Sequence, residues 1–219
     1  MGKYVVAITG ASGVVYAQRL LQVLIDGGHH CLVTISAPGQ RVLREELDWN
    51  LVGSEKQIEE QLWNYLVAPA TGVASVVDSL EVRNRFRYFD YRDIGAPIAS
   101  GSVRTEGMVI IPCTMGTVSG IACGASSDLI ERAADVILKE RRTLIVVPRE
   151  TPLNAIHLRN LLTLAELGVH VVPAMPGFYH RPQEIQELVD FIVSRVLDLL
   201  DLENQLFLRW GTQERTEEK

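Results

Sequence analysis

Several signatures are missing from this chain, and each absence narrows its function. It contains no G-x-G-x-x-G run, and the second predicted strand ends in Ser36 where a dinucleotide binder places the acid that holds the ribose. It contains no Tyr-x-x-x-Lys pair, which removes the short-chain dehydrogenases despite a Thr-Gly-Ala-Ser start. Its 3 cysteines (Cys31, Cys113, Cys123) make no C-x-x-C pair and are odd in number, which argues against a disulfide framework and for a reducing compartment. Cys31 and Cys113 fall at strand positions and read as small core residues. Apolar runs are strand-length, far below the ~20 residues a membrane helix needs. A strand starting at Lys3 leaves no room for a signal peptide, so the expected location is the cytoplasm. A net charge of −6 argues against general binding to nucleic acid or anionic membrane. Histidine is absent between His30 and His157, and nothing suggests a metal cluster.

What is present is an alternation of strands and helices over 219 residues, a length that suits one domain with a substantial core. Strands are expected at Lys3–Thr9, Cys31–Ser36, Met108–Ile111, Leu144–Val147 and Val169–Val172. Helices are expected from Val14, near Pro38–Glu46, and at Glu55–Leu66, Val118–Cys123, Asp128–Glu140, Asn154–Leu167 and Gln183–Leu202. Short all-apolar strands between amphipathic helices predict an α/β fold, a parallel sheet with helices on both faces. Residues 68–92 break the pattern: Arg83, Arg85 and Arg87 alternate with Val82, Phe86 and Tyr88, as in a nucleic-acid strand or, better for an acidic chain, an amphipathic edge strand or insertion with solvated arginines. One domain is expected over 1–210 and a polar tail over 211–219. A hydrophobic content of 47% with mean hydropathy +0.12 points to buried subunit contacts.

Ligands of such sheets bind beyond the carboxyl ends of the strands. There, Thr9-Gly10-Ala11-Ser12-Gly13 opens a helix, a geometry that aims amide groups at an anion; the same turn without a ligand is the plainer reading. Thr114, Met115, Gly116 and Thr117 follow another strand and read either as a second clasp or as a simple N-cap. Arg149 and Glu150 follow a third, as a cation and carboxylate for phosphate and proton or as a structural ion pair. Lys139 ends a helix, where a cation suits the dipole. Arg195 lies on or beside the stripe Ile185, Leu188, Ile192, Val196, Leu199, and so either needs an anion or snorkels. The loop Pro173–Pro182 presents Phe178, Tyr179, His180 and Arg181; His180 reads as a loop-surface histidine and His157 as structural. Trp210 covers a ligand or packs on a neighbour.

Together these pieces resemble the UbiX-type flavin prenyltransferases. The matching stretches are I-T-G-A-S-G at 8–13, I-S at 35–36, A-P-I-A-S-G-S at 96–102 and P-C-T-M-G-T at 112–117. L-I-E-R-A-A-D-V-I-L-K-E-R-R at 129–142, V-V-P-R-E-T-P at 146–152, P-G-F-Y-H-R-P at 176–182 and R-W-G at 209–211 complete the set. The resemblance implies a flavodoxin-like Rossmann variant that forms homo-dodecamers, requires no metal, and joins a dimethylallyl group from dimethylallyl phosphate to N5 and C6 of reduced FMN. The product, prenylated FMN, is the cofactor of UbiD-type decarboxylases. By motif, Gly10, Ala11, Ser12, Ser36, Thr114 to Thr117 and Arg149 hold FMN. Tyr179, Arg195, Lys139, Arg132 and Trp210 hold the prenyl donor, and Glu150, Glu46, Lys139 and Ser12 act in catalysis. Many relatives carry Trp where Ile94-Gly95 precedes the A-P-I-A-S-G-S stretch, so this chain has no aromatic ring at that place. Two other readings are an FMN-dependent decarboxylase of the cysteine-decarboxylase type and a non-catalytic FMN carrier or accessory subunit. The first uses an early catalytic histidine and a P-x-M-N-type segment, replaced here by Pro173-Ala-Met-Pro; the second has no use for a second phosphate site.

Overall fold

In β1 (Lys3–Ile8), side chains two apart share a face: Tyr4, Val6 and Ile8 enter one apolar cluster, Val5 and Ala7 another. The chain is described by a computed structural model over residues 1–68 and 79–207. After β1 come α1 (Val14–Asp26), β2 (His30–Ile35), α2 (Ala37–Leu47), α3 (Glu55–Val67), α4 (Leu80–Arg83) and β3 (Phe86–Asp90). Then follow β4 (Gly107–Cys113), α5 (Met115–Ala122), α6 (Leu129–Lys139), β5 (Thr143–Pro148), α7 (Ala155–Glu166), β6 (His170–Val171) and α8 (Ile185–Leu199).

All strand pairs are parallel, in the order β3-β2-β1-β4-β5-β6. Without β3 the order is that of flavodoxin; β3 extends it to the six-stranded Rossmann order. Neighbours reverse direction of progress between β1 and β4, which opens the crevice there. Helices α1, α2, α3 and α8 cover one face of the sheet, and α5, α6 and α7 cover the other. This is the expected α/β architecture.

The favoured edge-strand reading holds for the described part of 68–92, and the stripe of α8 needs correction. Within 68–92, residues 69–78 lie outside the described part, but Phe86–Asp90 is an ordered edge strand with Phe86, Tyr88 and Phe89 buried. Arg87 of this strand and the preceding Arg83 and Arg85 form ion pairs: Arg83 with Glu60 at 3.5 Å, Arg85 with Glu81 at 2.7 Å and Arg87 with Glu59 at 3.2 Å. The buried stripe of α8 is Val189, Ile192, Val193, Val196 and Leu197, whereas Ile185 is 77% exposed. The stripe is rotated because α8 packs on α1, where Arg19 Nε meets Asp190 Oδ1 at 2.6 Å. Asp190 also accepts from Gln186 Nε2 at 3.0 Å, so this nearly buried carboxylate is satisfied on both sides. The tail 211–219 lies outside the described residues.

Candidate functional site

Three strand ends are tied together around the crevice. The Ser36 amide donates to the Ile8 carbonyl at 3.0 Å, and the Thr9 amide donates to the Pro112 carbonyl at 3.2 Å. The Thr9 hydroxyl donates to the same Pro112 oxygen at 2.8 Å and accepts from the Thr114 amide at 2.8 Å. Cys113 pairs with Pro148 in the sheet register, so Thr114 and Arg149 leave the sheet side by side. Gly10, Ala11, Ser12, Ser36, Thr114 to Thr117, Arg149 and Glu150 are therefore gathered along one edge.

Two helices begin in the crevice, and they differ. At α1, Gly13 adopts φ 104°, a left-handed value that suits glycine, and supplies no side-chain cap. Glu46, from the last turn of α2, fills that place: its Oε2 accepts from the Gly13 amide at 2.9 Å and the Val14 amide at 3.2 Å. Glu46 thus caps the Gly13 and Val14 amides with a carboxylate, which disfavours a second anion at those two groups. Gly10 is packed as well, because a Cβ there would overlap Pro38.

At α5, the Thr114 hydroxyl accepts from the Thr117 amide at 3.2 Å and lies 3.0 Å from the Thr117 hydroxyl. The Met115 and Gly116 amides have no acceptor among the described residues. A Cβ on Gly116 would meet nothing nearer than Thr114 Oγ1 at 3.8 Å, so this start is open to a ligand. The N-cap reading of Thr114 holds, and it leaves two donors free. Ser36 caps α2 by accepting from the Gly39 amide at 3.1 Å. Cys113, beside this seat, is fully buried; burial pushes its thiol pKa up and keeps it protonated, which excludes thiolate chemistry there. Burial likewise pushes the Cys31 thiol up to about 12.

The remaining candidates are distributed unevenly. Arg149 and Glu150 are exposed, and among the described residues they form no ion pair with each other; Glu150 Oε1 accepts from the Thr151 amide at 3.2 Å. Tyr179 rests edge-on against Phe191, with centroids 5.8 Å apart, and Phe191 lies one helical turn from Arg195 on α8. Tyr179 and Arg195 therefore share one side of α8. Arg195 is not drawn toward the core: its side chain is 51% exposed and pairs with Asp198 at 2.9 Å. The core stripe passes beside Arg195, so burial does not oblige it to find an anion.

Lys139 lies at the other end of the sheet. It is the last residue of α6, four residues before β5 begins opposite Gly107. The six residues of β5 put roughly 20 Å between that edge and Arg149. Arg132 sits half-exposed on α6 and pairs with Asp135 at 3.0 Å. One chain does not bring Lys139 to Glu150. Trp210 lies outside the described residues.

The histidines take other places. His30 opens β2 at the far edge, and His157 completes the capping box of α7 with Asn154. His180 is not a surface residue: both ring nitrogens are buried and find no hydrogen-bond partner among the described residues, and the ring stacks on Phe191 at 5.7 Å and 2°. Among the described residues no group of three or more His, Cys, Asp or Glu is placed to hold a metal, and no helix is long and apolar enough to cross a membrane. Sequence reasoning missed the clamp formed by Thr9, the capping role of Glu46 and the Arg19–Asp190 pair. The resemblance pointed to Glu46 as a site residue, but nothing in the sequence marked it as the cap of α1.

Comparison with known proteins agrees with this geometry. The Flavoprotein family pattern matches residues 2–197. The chain is 48% identical over 212 residues to the flavin prenyltransferase UbiX of Halalkalibacterium halodurans, spanning 97% of this chain and 95% of that protein. Among solved structures, a UbiX in complex with FMN and dimethylallyl pyrophosphate superposes with TM-score 0.78 at 34% identity, covering 97% of this chain and 99% of that one. A dodecameric FMN-dependent UbiX-like decarboxylase from Escherichia coli O157:H7 gives TM-score 0.76 at 35% identity, covering 95% and 98%. Identity of this extent over nearly the whole length, with the crevice motifs of both halves gathered at one edge, makes this chain a member of the UbiX flavin prenyltransferase family of flavoproteins.

Proposed function

We propose that this protein transfers a dimethylallyl group from dimethylallyl phosphate to N5 and C6 of reduced FMN, and that the prenylated FMN it makes is passed to a UbiD-type decarboxylase. The observation that carries the reading is the open start of α5 beside Arg149, within a chain of this family. Reduced FMN supplies the electron-rich ring atoms that take up the allyl group.

The residues at the crevice fit a flavin phosphate. The free Met115 and Gly116 amides and the Thr114 and Thr117 hydroxyls donate to it, Arg149 balances its charge, and Ser36 lines the same wall. Gly10, Ala11 and Ser12 form the opposite wall, held in shape by Glu46. On this reading the phosphate sits at the second turn, a reading supported by Glu46 already accepting from the Gly13 and Val14 amides at the first. Tyr179 and Arg195 hold the donor phosphate, so that it leaves as an anion beside a cation. Glu150, at the crevice mouth, takes the proton released as the new ring closes. Ser12 orients the reacting centre from the α1 turn.

Lys139 and Arg132 reach the donor from a neighbouring copy of the chain. Two observations support this: Lys139 lies at the far edge of its own sheet, and large apolar side chains remain exposed at Ile156, Leu158, Leu162, Met175, Phe178 and Ile185. The assembly is a homo-oligomer, as the E. coli neighbour is, and we read it as the same dodecamer. A decarboxylase of the cysteine type fits less well, since among the described residues no histidine lies at the first turn. Simple FMN carriage leaves Glu150 and the Tyr179–Arg195 face without a role.

The direct test is anaerobic incubation with reduced FMN and dimethylallyl phosphate, followed by flavin mass measurement. A gain of one dimethylallyl unit is the expected result; unchanged flavin after full FMN binding rejects the transferase reading. For the shared site, Lys139→Ala and Glu150→Gln preparations are each expected to be inactive, and mixed assembly of the two is expected to recover activity. No recovery in proven hetero-oligomers rejects the sharing.

A further inference from the structure

We propose that Thr9 is a positioning residue that sets the flavin-phosphate seat at the start of α5, acting through Thr114. The proposal rests on the reading that FMN binds at that seat. Thr9 itself offers the ligand nothing: it is 1% exposed, directly after β1, with its hydroxyl turned into the junction of β1 and β4.

The sequence explains why a hydroxyl is needed there. Register between β1 and β4 runs to Ala7 opposite Ile110. Two residues later stands Pro112, which has no N–H to donate, and the β4–β5 register shifts between Ile110 and Cys113. Past this point one backbone bond remains, from the Thr9 amide to the Pro112 carbonyl at 3.2 Å, while the Thr114 amide finds no backbone acceptor among the described residues. The Thr9 side chain supplies that acceptor and a second donor to Pro112. Its O–H donates to the Pro112 carbonyl at 2.8 Å, and its oxygen accepts from the Thr114 amide at 2.8 Å. Thr114 is the residue whose own hydroxyl caps α5 and contacts Thr117. A continuous path therefore runs from the carbonyl of Pro112 through Thr9 and Thr114 to Thr117. It links the T-G-A-S-G turn to the P-C-T-M-G-T turn by a side chain outside both ligand walls. A buried path of this kind holds direction as well as distance, because each member has one partner on each side.

Valine has the shape of threonine without the hydroxyl, so Thr9→Val strands the Thr114 amide and one bond of the Pro112 carbonyl. Serine keeps the hydroxyl. The test titrates FMN and riboflavin in parallel into the wild-type protein, Thr9→Val and Thr9→Ser. Riboflavin lacks the phosphate, which separates a displaced seat from a generally loosened crevice. Thr9→Val is expected to weaken FMN by about 10- to 30-fold and riboflavin by less than about threefold, with Thr9→Ser near wild type for both. Equal losses for both ligands, or unchanged FMN affinity in Thr9→Val, overturns the proposal. Wild-type protein that does not bind FMN at all overturns the flavin reading itself. Should Thr9→Val not fold, residue-resolved hydrogen exchange of the wild-type protein decides. The Thr114 amide is expected to be protected with and without FMN, and exchange at the rate of an exposed loop overturns the assignment.

Discussion

The starts of α1 and α5 are built from the same parts, a buried parallel strand, a glycine-containing turn and a helix, yet they do different work. At α1 the protein completes itself: Glu46 accepts the Gly13 and Val14 amides, and Gly10 is pressed against Pro38. At α5 only the Thr117 amide is capped, and Gly116 faces open space. A glycine turn before a helix is thus a geometry and not yet a binding site. Whether an anion enters depends on whether a distant side chain arrived first.

Substitutions can break this contrast, and flavin affinity ranks them. The largest loss is expected from Gly10→Ala, since the added methyl drives the α1 turn away from Pro38. FMN affinity should fall by more than about 100-fold, and overpacking should cost about 1–3 kcal/mol of stability. Fluorescence titration and urea unfolding measure both, and an unchanged unfolding midpoint would show that the first turn is not packed as described.

Gly116→Ala is expected to act through the ligand alone. Its Cβ meets only Thr114 Oγ1, so the fold is kept and the helix gains up to about 1 kcal/mol of stability. FMN affinity should still drop by roughly tenfold, because the methyl occupies the space the phosphate approaches. If FMN binds Gly116→Ala as well as wild type, the phosphate is not at α5.

A smaller effect belongs to Glu46→Gln, which keeps an acceptor oxygen and removes the charge. Stability should fall by about 0.3–1 kcal/mol, less at high salt, as the α1 start loses its anion. FMN affinity should change by no more than about threefold. Competition by inorganic phosphate, read by phosphorus NMR, is the sensitive measure: a second bound phosphate is expected only in the variant, and a second phosphate in wild type contradicts the plugged start.

Arg195→Ala should not move FMN affinity at all, while the donor concentration needed for half-saturation rises by about 10- to 150-fold. Its exposed pair with Asp198 contributes under about 1 kcal/mol, so the melting temperature should stay nearly constant. Loss of FMN binding in this variant would merge the two proposed sites into one.

Much of the architecture is legible in the sequence because strand and helix periodicities are local. Each of the six parallel strands has a run short and apolar enough to be recognised, apart from β3, whose alternating arginines mimic a basic surface until Glu59, Glu60 and Glu81 are seen beside them. The crevice motifs are legible for the same reason, being contiguous stretches that follow strands. Arg195 misleads because a helical wheel locates a stripe only to within a residue or two. The neighbour that selects the buried side, α1 with Arg19, is about 170 positions away.

Residue order along the chain settles the α/β class, the carboxyl-edge location of the motifs and the family, since all three depend on short-range patterns and on matched stretches. The fold in three dimensions settles which of two equivalent helix starts is open, because Glu46 comes from another helix and reaches α1 only when α2 packs against it. It also joins Thr9 to Thr114 across 105 positions, a contact that no spacing rule reports. Finally, it puts Lys139 and Glu150 at opposite edges although only eleven positions separate them. A strand is rigid and extended, and its six residues carry the chain from one side of the sheet to the other.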